Sequence, residues 1–384
     1  MPQQRILLSS PHMGGTEKKY VQEAFSTNWI APLGKNVDMF EEQIMEFTGA
    51  KAACALASGT GGIHLALDLL KVGHGDMVLC SSLTFVASAN PILYHGAQPV
   101  FIDSEMDSWN MCPKALEKAL KYYKMQGKEA KAVIVVNLYG QSARMDEIGE
   151  ICSRYDVPII EDAAESLGAI YKGRMSGTFG KFGIFSFNGN KIITTSGGGM
   201  IISNDGPMIE RALKKATQSK EAATHYQHES VGYNYRLSNV CAGIGRGQME
   251  VLEERIMKKR EIFEKYVEGL RDVDGITFMP EIEGSYHTRW LSTMLIDPLR
   301  AGVNAGELIE HLDENNIESR PVWKPLHMQP LFAGSAFFST DEDNAAYLFE
   351  HGICLPSDTK MMEADIDRVI TAVRERLLAR ELFA

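Results

Sequence analysis

The chain has 384 residues and a formal net charge of −11, with 45% hydrophobic and 23% charged residues. These are globular proportions, and the length predicts a large domain at residues 1–270 and a smaller one at 271–384. The acidic balance argues against a nucleic-acid partner. No apolar run reaches the roughly 20 residues of a membrane-spanning helix, and the start lacks a signal-peptide core, so we expect a cytoplasmic protein without a membrane partner.

Apolar spacing alternates between strand and helix periods over the first part of the chain. The expected strands are 52–57, 77–81, 99–102, 132–138, 157–160, 182–187 and 200–202, and the expected helices are 16–25, 37–47, 63–70, 87–94, 113–124 and 144–155. The run at 132–138 is largely β-branched, as in a strand buried on both faces. This alternation predicts an α/β fold, with a mixed, mostly parallel sheet flanked by helices.

The pattern changes after Gly199. We expect a helix at 207–217, a polar and aromatic loop at 225–239, and one long helix at 239–270. The smaller unit that follows has expected strands at 276–279, 290–296 and 354–356, and expected helices at 305–314, 343–350 and 363–382. Its strands and helices do not alternate strictly, which is typical of an α+β arrangement.

A segment of small residues, Ser58-Gly59-Thr60-Gly61-Gly62, joins the first strand of the alternating region to a helix. Small residues let the backbone approach an anion, and a helix N-terminus offers free N–H groups and a positive dipole end. The segment therefore indicates phosphate binding. A helix N-cap at Ser58 or Thr60, with glycines for the turn, explains it equally well.

A second segment, Glu161-Asp162-Ala163-Ala164-Glu165, follows the apolar run at 157–160. A carboxylate at a strand end, here Asp162, can hold a cationic ring nitrogen and keep a cofactor pyridinium protonated, which makes the ring an electron sink. The alternative is an acidic helix start that complements the helix dipole.

The third segment, Phe182 to Met200, places Lys191 directly after a buried strand, on a polar loop that ends in three glycines. Desolvation of a lysine disfavours its ammonium form, and only the neutral amine attacks a carbonyl, as a Schiff-base lysine must. An exposed loop lysine beside a tight hairpin is the ordinary alternative. Phosphate segment, ring-nitrogen carboxylate and amine are together the groups that pyridoxal 5'-phosphate (PLP) requires.

Other chemistries have weaker support in the sequence. His225 and His228 have the spacing of metal ligands, but no nearby third ligand completes a set, so no metal is expected. There is no G-x-S-x-G nucleophile motif. The six cysteines form no C-x-x-C pair, and most lie in apolar runs as core residues do.

Several segments together resemble one family. The order SGTGGIHLAL, SSLTFVAS, PVFID, EDAAES, FSFNGNK, GGGM and GYNYRLSN is similar to that of the DegT/DnrJ/EryC1/StrS sugar aminotransferases, which are fold-type I PLP enzymes. The likeness runs over nearly the whole chain. SSPHMGGTEKKYVQEAF and TNWIAPLG further resemble the branch that aminates C4 of a UDP-linked 2-acetamido-4-keto-6-deoxyhexose in bacillosamine-type bacterial glycan pathways.

The resemblance implies a role for each matching residue. It makes Lys191 the Schiff-base lysine and proton carrier, pairs Asp162 with the pyridine nitrogen, and stacks Phe85 on the cofactor ring with Ala164 on the other face. The remaining implied roles are phosphate binding by Gly59, Thr60 and Ser186; a contact from Asn234 to the cofactor phosphate of the neighbouring subunit; a position facing the ring hydroxyl for Glu165, where many members carry His or Gln; and the sugar-nucleotide pocket for Arg320 and His327.

The activity that the resemblance implies is amino transfer from L-glutamate to C4 of the UDP-linked sugar, with 2-oxoglutarate as the second product and a homodimer that shares its active sites. The alternatives are a dTDP-linked 4-keto-6-deoxy sugar as acceptor, sugar dehydration, an amino-acid reaction, and a regulatory protein without catalysis. Dehydrating members carry His in place of the lysine, so Lys191 favours transamination. An intact pair of Lys191 and Asp162 argues against a regulatory protein.

Overall fold

The computed structural model describes residues 4–378, whose strands form three sheets. In chain order the strands are β1 (Ala52–Leu56), β2 (Met77–Ser81), β3 (Gln98–Ile102), β4 (Ala130–Val136), β5 (Ile159–Asp162), β6 (Ile170–Tyr171), β7 (Arg174–Met175), β8 (Phe182–Ser186), β9 (Gly199–Ser203), β10 (Ile276–Phe278), β11 (Ser285–Tyr286), β12 (Ser292–Ile296), β13 (Arg320–Pro321), β14 (Ala336–Phe338) and β15 (Gly352–Leu355). The helices are α1 (Glu17–Ser26), α2 (Lys35–Thr48), α3 (Gly59–Leu69), α4 (Asn90–Tyr94), α5 (Pro113–Met125), α6 (Met145–Arg154), α7 (Gly206–Ala216), α8 (Asn239–Met249), α9 (Leu252–Leu270), α10 (Pro298–Ala301), α11 (Ala305–Glu314), α12 (Asn344–His351) and α13 (Glu363–Leu378).

The main sheet has eight strands in the order β1-β9-β8-β5-β4-β2-β3-β14. Neighbouring strands are parallel except where β9 pairs with β1 and with β8. In β4, Ala132 and Ile134 pack with the core of α3, α4 and α7, whereas Val133 and Val135 pack with α5 and α6. The expected mixed, mostly parallel sheet with helices on both faces is therefore confirmed.

A second sheet, β10-β12-β15-β13, is antiparallel throughout. Its core includes residues of α9, α11 and α13, such as Tyr266, Leu308 and Val369. Strand β14 comes from the same C-terminal part of the chain but pairs with β3 in the main sheet. The expected domain limits, 1–270 and 271–384, stay a proposal, and residues 379–384 of the expected last helix lie outside the described residues. None of the helices within 4–378 has the length and apolarity needed to cross a bilayer.

The single helix expected at 239–270 is wrong. The chain forms α8 and α9, with a turn at Glu250 and a non-helical Val251 (φ −115°, ψ 3°) between them. The two helices have different partners. In α8, a Cβ on Gly245 would lie 2.7 Å from the Phe40 ring of α2, while α9 supplies core to the antiparallel sheet. A straight helix cannot reach both, so packing overrides a continuous helical pattern.

Lys259 of α9 is buried at the boundary between these parts. Its Nζ donates hydrogen bonds to the carbonyl oxygens of Trp290 (2.9 Å) and Ser357 (2.8 Å). Burial lowers the pKa of Lys259 to about 7, although the nearby Asp358 acts to raise it. A lysine in this position is neutral over a pH range in which an ordinary lysine is charged.

We predict that Gly183→Ala destabilises the protein by about 3 kcal/mol, because an added Cβ in β8 overpacks a rigid contact. That Cβ would lie 1.9 Å from the carbonyl oxygen of Gly177, a backbone atom that cannot rotate away. Gly149→Ala in α6 is the matched control, because nothing lies within 4 Å of its Cβ and alanine favours helix. Thermal midpoints measure both, and equal midpoints for the two variants would contradict the prediction.

We predict that the wild type gains stability relative to Lys259→Met as the pH rises from about 7 to about 10. In that interval the unfolded chain still protonates this lysine and the folded chain does not, so stability rises with pH, by a few kcal/mol in order of magnitude. Thermal midpoints measured across the interval test this, with Lys258→Met on the same helix as control. A difference that does not change with pH would contradict a lowered Lys259 pKa.

Candidate functional site

Lys191 lies on the loop that joins β8 to β9. Its backbone N–H donates to the Asn188 carbonyl (3.0 Å), and Phe187 N–H donates across the loop to the Gly198 carbonyl (2.9 Å). The Lys191 side chain is 13% exposed. The loop returns so closely to α3 that a Cβ on Gly199 would lie 2.3 Å from the carbonyl carbon of Ser58. The lysine is therefore held beside the helix start rather than in solvent.

The N-terminus of α3 has both features that the glycine segment suggested, a helix N-cap and free N–H groups for an anion. Ser58 is the N-cap, and its hydroxyl accepts the Gly61 N–H (3.0 Å). The helix begins at Gly59, earlier than the expected start at residue 63. As the first two residues of the helix, Gly59 and Thr60 have no intrahelical acceptor for their N–H groups. These groups and the dipole favour an anion at this position.

Asp162 is the last residue of β5 and is buried. Its Oδ2 accepts the Ser88 hydroxyl (2.7 Å) and its Oδ1 accepts the Ala164 N–H (3.2 Å). Ser88 in turn is hydrogen-bonded to the Thr84 hydroxyl (2.9 Å). Burial raises the pKa of Asp162, and the bonds from Ser88 and Ala164 oppose that rise. Sequence reasoning missed Ser88, although Thr84 and Ser88, four residues apart in a segment otherwise apolar, are a polar pair that could have indicated it.

Glu165 is a second buried carboxylate near the lysine. Its Oε1 is 3.6 Å from Lys191 Nζ, and its Oε2 accepts the Tyr139 N–H (2.9 Å). Burial raises the pKa of Glu165, and the charge of Lys191 opposes that rise. Tyr139 has a positive φ of 53°, which is uncommon for a residue other than glycine and aims its N–H at the carboxylate.

These groups line one cavity of about 330 Å³. It brings together most of the residues singled out from the sequence, namely Gly59, Thr60, Phe85, Asp162, Ala164, Glu165, Ser186 and Lys191. The wall also contains Trp290 and Trp323, which the sequence did not indicate. Phe85 is half exposed, with its ring centroid 5.3 Å from that of Trp323.

Three expected site residues lie outside this cavity. Asn234 is exposed on the segment that pairs with Thr217. His327 is bonded through Nδ1 to Ser82 (2.7 Å) and through Nε2 to Asp343 (2.9 Å). Arg320 is paired with Glu318 (3.0 Å) and lines a second cavity. Their implied roles stay predictions.

The second cavity has a volume of about 540 Å³ and shares Asn190, Trp290 and Trp323 with the first. Arg320 and Lys324 contribute positive charge to its lining, and Leu291 and Phe349 contribute apolar surface. Two adjoining cavities thus meet at the two tryptophans, a smaller one next to the Lys191 amine and a larger one beside Arg320 and Lys324.

The first cavity fits PLP. The N-terminus of α3 offers N–H groups to a phosphate, and no side chain on Gly59 fills the space, because a Cβ there would already lie 3.2 Å from Ser186 Cβ. The buried Asp162 is a carboxylate suited to a pyridinium nitrogen. Lys191 supplies the amine. Within residues 4–378, no three His, Cys, Asp or Glu side chains converge as a metal site.

Comparison with known proteins agrees with this chemistry. The model of the DegT/DnrJ/EryC1/StrS aminotransferase family matches residues 11–374. EpsN of Bacillus subtilis (strain 168), provisionally named as a pyridoxal phosphate-dependent aminotransferase, is 57% identical over 95% of this chain and 94% of its own length. GDP-perosamine synthase of Caulobacter vibrioides is 36% identical over 97% and 99% of the two chains.

Solved structures with a similar fold are also aminotransferases. The crystal structure of the aminotransferase TlmJ from Streptoalloteichus hindustanus superposes with a TM-score of 0.89 and 30% sequence identity, covering 99% of this chain and all of that one. The Lys191 amine, the buried Asp162 carboxylate and the α3 N-terminus are the groups that PLP chemistry requires. The chain therefore belongs to the DegT/DnrJ/EryC1/StrS family and is a PLP-dependent sugar aminotransferase.

Proposed function

We propose that this enzyme transfers the amino group of L-glutamate to C4 of a UDP-linked 2-acetamido-4-keto-6-deoxyhexose for bacterial glycan synthesis. The observation that carries the proposal is the convergence of Lys191, Asp162 and the α3 N-terminus on one cavity. The N-terminal segments that resemble the C4-aminating branch support the choice of sugar. The relationship to GDP-perosamine synthases supports a nucleotide-linked sugar as the acceptor.

The chain's own groups have separate tasks in this reaction. When bound, PLP supplies an electron-withdrawing ring that stabilises negative charge next to the transferred nitrogen. Gly59, Thr60 and Ser186 would hold its phosphate, and Asp162 its ring nitrogen. Lys191 takes a proton from the donor side and returns it on the acceptor side, which an amine beside a carboxylate can do.

The second cavity is our candidate for the sugar nucleotide. It adjoins the cofactor cavity at Trp290 and Trp323, so a keto carbon can reach the amine while the rest of the substrate stays outside. Arg320 and Lys324 would face the diphosphate. Among residues 4–378, Lys324 has no ion-pair partner, which leaves its charge for a ligand.

We further propose a homodimer with shared active sites. Asn234 is exposed and does not line the cavity of its own chain. A contact with the cofactor phosphate of a second copy would therefore give this side chain the role that the family resemblance implies.

We predict that L-glutamate aminates the UDP-linked 2-acetamido-4-keto-6-deoxy sugar faster than dTDP- or GDP-linked 4-keto-6-deoxy sugars. Product mass in a panel of these acceptors gives the measurement, and Lys191→Ala should lower the rate by about a thousandfold or more. Faster turnover of a dTDP- or GDP-linked sugar would contradict the assignment of a UDP-linked substrate. Protein that binds PLP yet aminates none of the sugars would refute the proposed function, and an active Lys191→Ala would refute the role of the lysine.

We predict that Asp162→Asn lowers amino transfer about a hundredfold or more, because the neutral amide keeps the shape but cannot hold a protonated ring nitrogen by charge. Turnover and the absorbance of bound PLP measure the effect. Asp156→Asn is the matched control, since Asp156 is exposed in a turn with φ 54° that asparagine also accepts. Equal rates for the two variants would remove Asp162 from the mechanism.

A further inference from the structure

Trp290, in the turn before β12, contacts the reactive lysine in two ways. Its indole face lies 4.1 Å from Lys191 Nζ, measured to the ring centroid. Its Nε1–H donates to the carbonyl oxygen of Asn190, the residue immediately before the lysine (2.9 Å). Trp290 is 1% exposed, so the indole itself is buried. One side chain thus meets the amine and also fixes the backbone that carries it.

The Lys191 amine lies close to both the Trp290 ring face and the Glu165 carboxylate. A cation within about 6 Å of an indole centroid is attracted to the ring face. Lys191 Nζ also lies 3.6 Å from Glu165 Oε1, and that carboxylate accepts the Tyr139 backbone N–H. A lysine side chain with many rotamers thereby has one defined position when it is bonded to nothing else.

The backbone of Trp290 is in turn held by Lys259, a buried lysine. Lys259 donates to the Trp290 carbonyl (2.9 Å) and to the Ser357 carbonyl (2.8 Å), and it lines neither cavity. Ser357 Oγ accepts the N–H of Ser292, two residues beyond Trp290 (2.8 Å). Burying an amine is costly unless hydrogen bonds compensate. Here the compensation comes from the carbonyl of the tryptophan that lies over the reactive amine.

We propose that Trp290 is a positioning residue that holds the unbonded amine of Lys191 ready for proton transfer, and that Lys259 fixes Trp290 for this task. The inference rests on the proposed function only in taking Lys191 as the reacting amine. It assigns a role to Asn190 as well. The Asn190 carbonyl accepts both Trp290 Nε1–H and the Ser9 hydroxyl (3.0 Å), which fixes the residue next to the lysine.

The test measures how fast cofactor-free protein takes up PLP, followed by the absorbance change when Lys191 bonds to it. Trp290→Leu removes the ring face and the N–H, and should slow uptake about tenfold. Trp290→Phe keeps a ring face, and Lys259→Met removes the anchor of the carbonyl; each should slow uptake about threefold. Lys258→Met, the adjacent lysine on α9, should leave the rate unchanged.

Steady-state kinetics distinguish a role in positioning Lys191 from a purely structural role in lining the cavity. Positioning predicts that kcat falls in Lys259→Met, whose residue lines neither cavity, while the KM values for donor and sugar stay within about twofold. Folded Trp290→Leu and Lys259→Met proteins that take up PLP at the wild-type rate would overturn the proposal. So would raised KM values with unchanged kcat in Lys259→Met.

Two milder variants decide the question if Trp290→Leu does not fold. Trp290→Phe and Ser9→Ala each remove one of the two hydrogen bonds to the Asn190 carbonyl, and both should slow uptake, whereas wild-type rates in both would overturn the proposal. Uptake requires neither sugar nor donor. A protein that aminates no sugar therefore refutes the proposed substrate and leaves this test intact.

Discussion

A partly buried amine and two buried carboxylates share one cavity, and the surrounding residues offset the free-energy cost of placing these charges there. Charges removed from water destabilise a protein unless partners and hydrogen bonds compensate. Each of the three has its own support: Ser88 for Asp162, the Tyr139 N–H for Glu165, and the Trp290 face for Lys191. The supporting groups come from distant segments, so the site forms only when those segments pack together.

The strand order explains why these side chains meet. β5 and β8 are parallel neighbours, and Asp162 at the end of β5 pairs with Ile184 of β8. The chain then runs past Ser186 into the lysine loop at the same edge of the sheet. β9 returns antiparallel between β8 and β1, which brings Gly199 against Ser58 at the start of α3. Ligands collect at the carboxyl ends of parallel strands, and the reversed strand adds the helix N-terminus to that edge.

The sequence predicted the parts of the site that have a local pattern. Lys191 follows a buried strand, Asp162 ends another, and Gly59 lies in a run of small residues, so each could be found from its neighbours alone. Trp290, Trp323 and Tyr139 could not, because their place in the site depends on contacts with residues far away in the chain, such as that of Trp290 with Lys191.

The fold shows the same division between local and long-range information. Strands of four to seven residues in the main sheet were predicted because their apolar runs are buried on both faces. The break between α8 and α9 was missed, since the helical pattern continues through Val251 while the packing partners change. The three-residue β14 was missed because its only signal is its pairing with β3, far away in the chain.

Residues from two parts of the chain enclose the cavity. Asp162, Lys191 and α3 all belong to the main sheet and its connections, whereas Trp290 and Trp323 come from the part of the chain that forms the antiparallel sheet. The N-terminal segment spans both parts, since Ile6 bridges to Ile317 and Ser9 bonds the Asn190 carbonyl. A shift of the antiparallel sheet would therefore move the tryptophan wall of the cavity relative to Lys191 and leave Asp162 and the α3 N-terminus in place. The two sides of the cavity thus belong to different parts of one fold.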